Sequence, residues 1–320
     1  MKRNTPISRL CVLAAAAFVT ASVCSAQTAD WYLMQNQVGD MQWNNVSSSD
    51  AYKYWADTAS LPGYTGYESR YATAMDANAS YLVAAGKQIR TRGTNLAAAP
   101  TDAFLGGTLI LAGSNLLHRG NATSFVTISN LTALNGATIS SGVNAIQNLT
   151  ITNFEIGAGT AGFASSSNVR GFNLNVSSLT GTGNLNFGAA GVYKINIANT
   201  AGFTGNMALV DTARLEFVND LSIQGSLTIN AGTTVNLASS VTASALTIGG
   251  DVLASGIYDF GYLSSTYGAI FTAGDAENGQ IIVGSTIPEP AAFAVVAGLL
   301  ALAATGCRRR HRASPAVVGS

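Results

Sequence analysis

Between residues 27 and 287 the chain has no cysteine, since Cys11, Cys24 and Cys307 all fall outside that stretch. Disulfide staples, thiolate metal sites and cysteine nucleophiles are therefore excluded there, and stability has to come from burial and backbone pairing. Histidine is almost as scarce. His118 is the only one ahead of the C-terminal basic cluster, and its setting of Leu117, Arg119 and Gly120-Asn121 reads as an exposed loop. A lone histidine builds neither a metal site nor a catalytic triad. No Gly-x-Ser-x-Gly elbow and no His-Glu-x-x-His helix occurs. Basic charge is short as well. Seven of the 16 Lys and Arg lie at the two ends (Lys2, Arg3, Arg9, Arg308, Arg309, Arg310 and Arg312), leaving nine against 15 Asp and Glu across 27–287, a net of −6. A chain with no basic face cannot neutralise phosphates, which excludes nucleic acid as a partner. The sequence assigns no catalytic residue, no metal and no cofactor.

Long helical patterns are also missing, which removes the α/β architectures. What is present from about Phe104 to Ile282 is a succession of short stretches in which β-branched or large apolar residues alternate with Asn, Thr, Ser and Gly. Examples are Phe125-Val-Thr-Ile128, Leu149-Thr-Ile-Thr152, Tyr193-Lys-Ile-Asn-Ile197, Arg214-Leu-Glu-Phe217, Ser226-Leu-Thr-Ile229 and Ala245-Leu-Thr-Ile248. Period two over four to six residues predicts half-buried strands, and the recurring SLTI, NLTI and ALTI words predict a weak internal repeat. The expected fold is all-β, a right-handed parallel β-helix or solenoid, with a β-sandwich as the alternative. At about 22 residues per coil and ~4.8 Å per layer, some eight coils would make a rod of order 40 Å.

The two ends carry hydrophobic runs of a different kind. Lys2, Arg3 and Arg9 precede the apolar stretch Leu10–Thr20, and Cys24-Ser25-Ala26 places small residues before a cut between Ala26 and Gln27. This is the pattern of a secretory signal removed by signal peptidase after Sec export. At the far end Ala291–Thr305 is uncharged over 15 residues, a marginal single transmembrane helix. Arg308, Arg309, Arg310 and Arg312 follow at once and hold that end in the cytoplasm, so residues 27–287 are expected outside it.

Pro288-Glu289-Pro290, an Ala/Val/Leu/Gly helix and an arginine cluster, in that order, resemble the PEP-CTERM sorting signal of exported proteins from exopolysaccharide-producing bacteria. The resemblance covers about the last thirty residues and implies recognition and removal of the helix by an exosortase-type membrane protease. The eight residues ASPAVVGS after Arg312 depart from the pattern. A second resemblance lies in the middle: Leu179-Thr-Gly-Thr-Gly-Asn-Leu, then Ile195-Asn-Ile-Ala-Asn-Thr-Ala-Gly-Phe-Thr-Gly-Asn-Met207, then Ala213-Arg-Leu-Glu-Phe217 are similar to the strand repeat of autotransporter-type passengers. The stretch from Leu253-Ala-Ser-Gly-Ile-Tyr258 to Gly279-Gln-Ile-Ile-Val283 is similar to the last module found before such sorting tails.

The organisation that follows is a signal peptide (1–26), an aromatic-rich N-terminal segment (27–100), a solenoid repeat region (101–284), the sorting signal (285–312) and a short tail (313–320). Trp31, Trp43 and Trp55 all fall in the second part, together with Tyr52, Tyr54, Tyr64, Tyr67, Tyr71 and Tyr81. Large rings suit a cap over the first open coil; their functional use would be as sugar-stacking platforms. Asp211, Glu216 and Asp220 are the densest acidic set near a strand, but spacings of five and four do not keep three carboxylates on one strand face, so a solvated surface is expected instead of a hydrolytic or calcium site. Asp275-Ala-Glu-Asn-Gly279 is out of register for a calcium loop, and Asn278-Gly279 reads as a hairpin turn. The reading as a whole is a non-enzymatic exported protein of the cell surface or exopolysaccharide matrix, transiently membrane-anchored. A carbohydrate-binding adhesin and a β-helix polysaccharide lyase or hydrolase are the rivals, and exopolysaccharide is the expected ligand class.

Overall fold

The computed structural model describes residues 29–34, 36, 54–57, 72, 74–91, 101–118, 125–142, 146–165, 170–188, 191–272 and 278–284. Strands appear wherever the alternation predicted them. The first are β1 (Trp31–Leu33), β2 (Trp55–Ala56), β3 (Ser80–Val83), β4 (Gln88–Arg90) and β5 (Thr101–Ala103). The repeat region continues with β6 (Thr108–Ala112), β7 (Asn115–His118), β8 (Phe125–Leu134), β9 (Thr138–Ser141), β10 (Ile146–Ile156), β11 (Thr160–Ala164), β12 (Gly171–Gly181) and β13 (Asn184–Phe187). Then come β14 (Val192–Ile197), β15 (Gly202–Phe203), β16 (Met207–Leu209), β17 (Arg214–Phe217), β18 (Leu221–Ile229), β19 (Thr234–Leu237) and β20 (Val241–Ile248). The C-terminal part holds β21 (Asp251–Leu253), β22 (Gly256–Asp259), α1 (Phe260–Thr266) and β23 (Gln280–Val283).

These strands form two sheets. In the first, β3, β6, β8, β10, β12, β14, β17 and β19 are successive parallel neighbours; in the second, β4, β7, β9, β11, β13, β16, β18 and β20 are. The chain thus alternates between sheets and lays each pass beside the previous one, a parallel β-solenoid of about six turns. At ~4.8 Å per layer the stack is roughly 30 Å tall. Antiparallel pairing is confined to β1–β2, β20–β21 and β22–β23 at the two ends. The hairpin-linked sandwich is therefore not the architecture. The turn count falls below the expected eight; residues 251–284 add β23 in parallel to β20, with β21 and β22 antiparallel beside them.

Register explains why the repeats stack. Val126, Leu149, Leu174, Ile195, Phe217 and Leu237 lie opposite one another on successive strands of the first sheet or at the same register position. Leu116, Ile139, Phe163, Phe187, Leu209, Ile229 and Ile248 do the same in the second. All are buried in one continuous core. A slip of one residue would turn such a column out to water, which fixes the pairing. In the middle of the stack the core turns aromatic: Phe163 stacks on Phe187 at 5.4 Å, and Tyr193 reaches 5.4 Å from Phe187 while its hydroxyl donates to Gly188 O at 2.7 Å.

Outward positions are tied together by side-chain amides. Asn153 Nδ2 donates to Asn130 Oδ1 at 2.8 Å, Asn173 to Asn148 at 3.0 Å, Asn196 to Asn175 at 3.2 Å and Asn206 to Asn184 at 2.9 Å. The partners are 23, 25, 21 and 22 residues apart, so the ladder measures the coil length directly. Asn219 imitates a strand: its Oδ1 accepts from Ile197 N at 3.1 Å and its Nδ2 donates to Ile197 O at 2.8 Å.

Asn199–Asn206 forms a corner between coils. Asn199 Oδ1 accepts from Ala201 N at 2.9 Å to start the corner, and Phe203 is fully buried. Gly205 leaves no room for a Cβ, which would overlap Gly183 O on the preceding coil; Gly183 stands in the same relation to Gly157 O, and Gly225 to Gly205 O. Asn206 then links to Asn184 on one side and, through Oδ1, accepts from Ser226 N at 2.9 Å and Ser226 Oγ at 2.8 Å on the other. The glycines are needed for close approach between coils.

Both ends of the first sheet are covered. β1 adds in parallel to β3, and β2 turns back antiparallel on β1. Trp55 is fully buried there, edge-on to Tyr81 at 5.0 Å, and Tyr81 is edge-on to Phe104 at 5.6 Å. At the other end Val235 on β19 bridges in parallel to Phe271, with Val235 N donating to Ile270 O at 2.7 Å. α1 starts where Asp259 Oδ1 accepts from Tyr262 N at 2.7 Å.

A candidate binding groove on the first sheet

In β14, β17 and β19 the residues Tyr193, Leu215 and Val235 point inward and are buried. Alternation therefore sends their neighbours outward. The register sets them in two rows across the strands: Val192, Arg214 and Thr234, then Lys194, Glu216 and Asn236. Thr272, on the segment that closes the sheet at Phe271, overhangs the same place. Together they line a groove of about 400 Å³, within the ~300–1,000 Å³ range of small-ligand sites.

Its polar groups are unevenly matched. Lys194 Nζ and Glu216 Oε2 form an ion pair at 2.8 Å. Such a surface pair adds only ~0–1 kcal/mol, but it neutralises both charges locally. Arg214 is exposed and its side chain has no hydrogen bond or ion pair among the described residues, so it leaves the groove one net positive charge. Asn236 Oδ1 is buried and has no donor among the described residues. A buried acceptor left unmade costs about 1–3 kcal/mol. The arrangement presents one exposed cation, and among the described residues it lacks the paired acid and base that hydrolysis or elimination needs.

Of the three carboxylates singled out in the sequence, only Glu216 belongs to this groove. Asp211 occupies the corner before β17, with φ at 60°, and Asp220 the corner after it, where its Oδ1 accepts from Ser240 N at 2.9 Å. The structure does not bring the three together. Among the described residues no group of His, Cys, Asp and Glu is placed to hold a metal ion, and no helix is long and apolar enough to cross a membrane.

Trp55 has no ring face free for a sugar, being fully buried. Trp31 is half-buried and packs against the core, and Trp43 lies outside the described residues. Also outside them are Ala26 and Gln27, Pro288, Glu289 and Pro290, Ala291–Thr305, and Arg308, Arg309, Arg310 and Arg312.

Two readings of the sequence need correction. His118 is not an exposed loop residue but the last residue of β7, fully buried, at 5.8 Å from the ring of Phe172. The flanking Arg119 and Gly120 suggested a loop, but the inward alternation Leu116, His118 carries the imidazole into the core. It shares its register position with Ser141 and, one coil earlier, lies beside Thr91, both buried. Neither of its nitrogens has a hydrogen-bond partner among the described residues, and burial pushes its pKa down to about 3. Asn278-Gly279 is not a hairpin turn either: Gly279 has no positive φ, and the antiparallel strands β22 and β23 are separated in the chain by α1. Gly279 is required because a Cβ there would run into Ser239 O and Leu237 O.

Arg214, Lys194, Asn236 and Thr272 went unnoticed as a group because 78 residues of sequence separate the first sheet position from the overhang. The strands Tyr193–Ile197 and Arg214–Phe217 were legible, and stacking them at the coil length would have joined Lys194 to Glu216. The fold is a parallel β-solenoid with a groove on its first sheet. Comparison with protein-family models, curated proteins and solved structures finds no match.

Proposed function

We propose that this is an exported, non-enzymatic structural protein of the cell surface or exopolysaccharide matrix, a right-handed solenoid delivered by Sec, trimmed by signal peptidase and released from its C-terminal helix by an exosortase-type protease. The observation that carries the structural part of this reading is the amide ladder Asn130–Asn153, Asn148–Asn173, Asn175–Asn196 and Asn184–Asn206. A surface whose side chains cross-link one coil to the next serves rigidity and hydration, whereas catalysis needs convergent ionisable groups. The dispersal of Asp211, Glu216 and Asp220 supports the same choice over a lyase or hydrolase.

The sorting part rests on the sequence of the tail. Pro288 and Pro290 disfavour helical geometry at Ile287 and Glu289, as a protease that reads extended backbone would require. In the native host, Glu289→Ala is expected to leave an uncut precursor, larger on a gel and held in the membrane fraction, while mass spectrometry of the wild-type mature C-terminus should place the cut near Pro290. A Glu289→Ala protein that matures and leaves the membrane normally would reduce the tail to a simple anchor.

A further inference from the structure

Along its main path each sheet has two end strands, and a bare strand edge offers unpaired N–H and C=O groups to any other strand. Among the described residues, three of the four ends have an outward backbone group taken. On β2, Trp55 O accepts from Ala72 N at 2.9 Å; on β4, Gln88 N donates to Asn36 Oδ1 at 2.8 Å; on β19, Val235 N donates to Ile270 O at 2.7 Å. The fourth end is β22, whose one neighbour in the sheet is β23. Gly284 N donates to Ala243 O, so the backbone of Gln280, Ile282 and Gly284 faces β20 and that of Ile281 and Val283 faces β22. Gly256 lies opposite Val283 and Tyr258 opposite Ile281, so Gly256 and Tyr258 carry the bonds from β22 to β23. Ile257 and Asp259 therefore turn their N–H groups to the open edge, and neither N–H has a partner among the described residues.

The devices that blunt an edge are missing from β22, which has no proline, no lysine and no bulge against β23. Its one charge, Asp259, is turned to α1, where the carboxylate accepts from Tyr262 N. Ile257 stands 67% exposed on the outer side of the edge, and behind it the half-buried Tyr258 and the exposed Tyr262 bring their rings to 5.4 Å. A strand edge can pair antiparallel with its own copy across a two-fold axis. Centred on Ile257, such an axis sets Ile257 against Ile257, each N–H meeting the other's C=O, and Tyr258 against Gly256 of the second copy. Centred on Asp259, it would set two carboxylates face to face, which is unfavourable. The chain's own continuation past Gly284 is a poorer occupant of the edge, because Pro288 and Pro290 have no N–H to give a ladder. We propose that two copies of this chain dimerise through β22, joining their second sheets into one across a two-fold axis at Ile257. The inference uses β20, β22, β23 and α1 alone, so it stands whether or not the tail is a sorting signal.

The test is sedimentation velocity of the full-length chain in mild detergent over a dilution series. One strand edge makes a small interface, so wild type should run as a dimer that dissociates on dilution through the micromolar range. Ile257→Lys sets two ammonium groups against each other. Ile257→Pro removes the edge N–H and leaves the bonds of Gly256 and Tyr258 to β23 in place. Each should weaken dimerisation by about tenfold or more. Val218→Lys, a charge on an exposed apolar residue elsewhere, should leave it as it was. Both positions are exposed, so circular dichroism of all three variants should match wild type. A wild-type chain that stays monomeric at the highest concentration would overturn the proposal. So would an undiminished dimer in either Ile257 variant, the result if the apolar run Ala291–Thr305 were what associates, or Val218→Lys weakening the dimer to the same extent.

Discussion

Lowering the pH should destabilise this protein, and His118 should supply a separable part of the loss. The imidazole is fully buried with neither nitrogen paired, and desolvation lowers its pKa to about 3. In the unfolded chain it returns to ~6.5. Between those values the unfolded state binds a proton that the folded state refuses, so stability is intact above about pH 6.5 and falls as the pH drops toward 3. A difference of about 3.5 units corresponds to about 5 kcal/mol in full, of which about 3 kcal/mol is lost between pH 7 and pH 4. Carboxylates contribute in the same range, so the measurement is a difference: urea unfolding of wild type and His118→Leu at pH 7 and pH 4. Leucine occupies a similar volume without an ionisable group, and the variant should lose about 3 kcal/mol less than wild type over that interval. The imidazole ring protons of the folded protein should also fail to titrate by NMR above about pH 4. Parallel pH dependences for the two proteins, or an imidazole that titrates near 6.5 while the fold persists, would refute the reasoning.

Two further changes probe how the coils are joined. Gly205→Ala places a methyl group against Gly183 O on the preceding coil, and thermal or urea unfolding should show a loss of about 3 kcal/mol, at the upper end of overpacking costs. Asn206→Ala removes its bond to Asn184 and the acceptor for Ser226 N and Oγ; a loss of about 1–2 kcal/mol is expected, with faster amide exchange at Ser226 as the local signature.

Sequence by itself determined that this chain is built of short strands with one buried face. Alternation such as Tyr193-Lys-Ile-Asn-Ile197 is a local property, set by the opposite directions of successive side chains, and needs no partner strand to be read. The glycine and asparagine of Asn199–Asn206 were legible as a corner for the same reason. Which corner atoms they meet was not: Gly205 is required by Gly183 O, one coil away in space and far off in the chain.

Only the tertiary structure decided the rest. Whether strands pair as hairpins or as stacked coils depends on register across 20 or more residues, and that is settled by summing the burial of whole columns. His118 shows the limit most plainly. Its neighbours Arg119 and Gly120 describe a loop, yet it ends β7 facing inward, because the column that begins beside Thr91 and passes to Ser141 runs through its position. The groove is likewise a product of stacking. Arg214, Lys194 and Asn236 belong to three different coils, and they become one site only because parallel pairing places residues a coil apart within one strand spacing of each other.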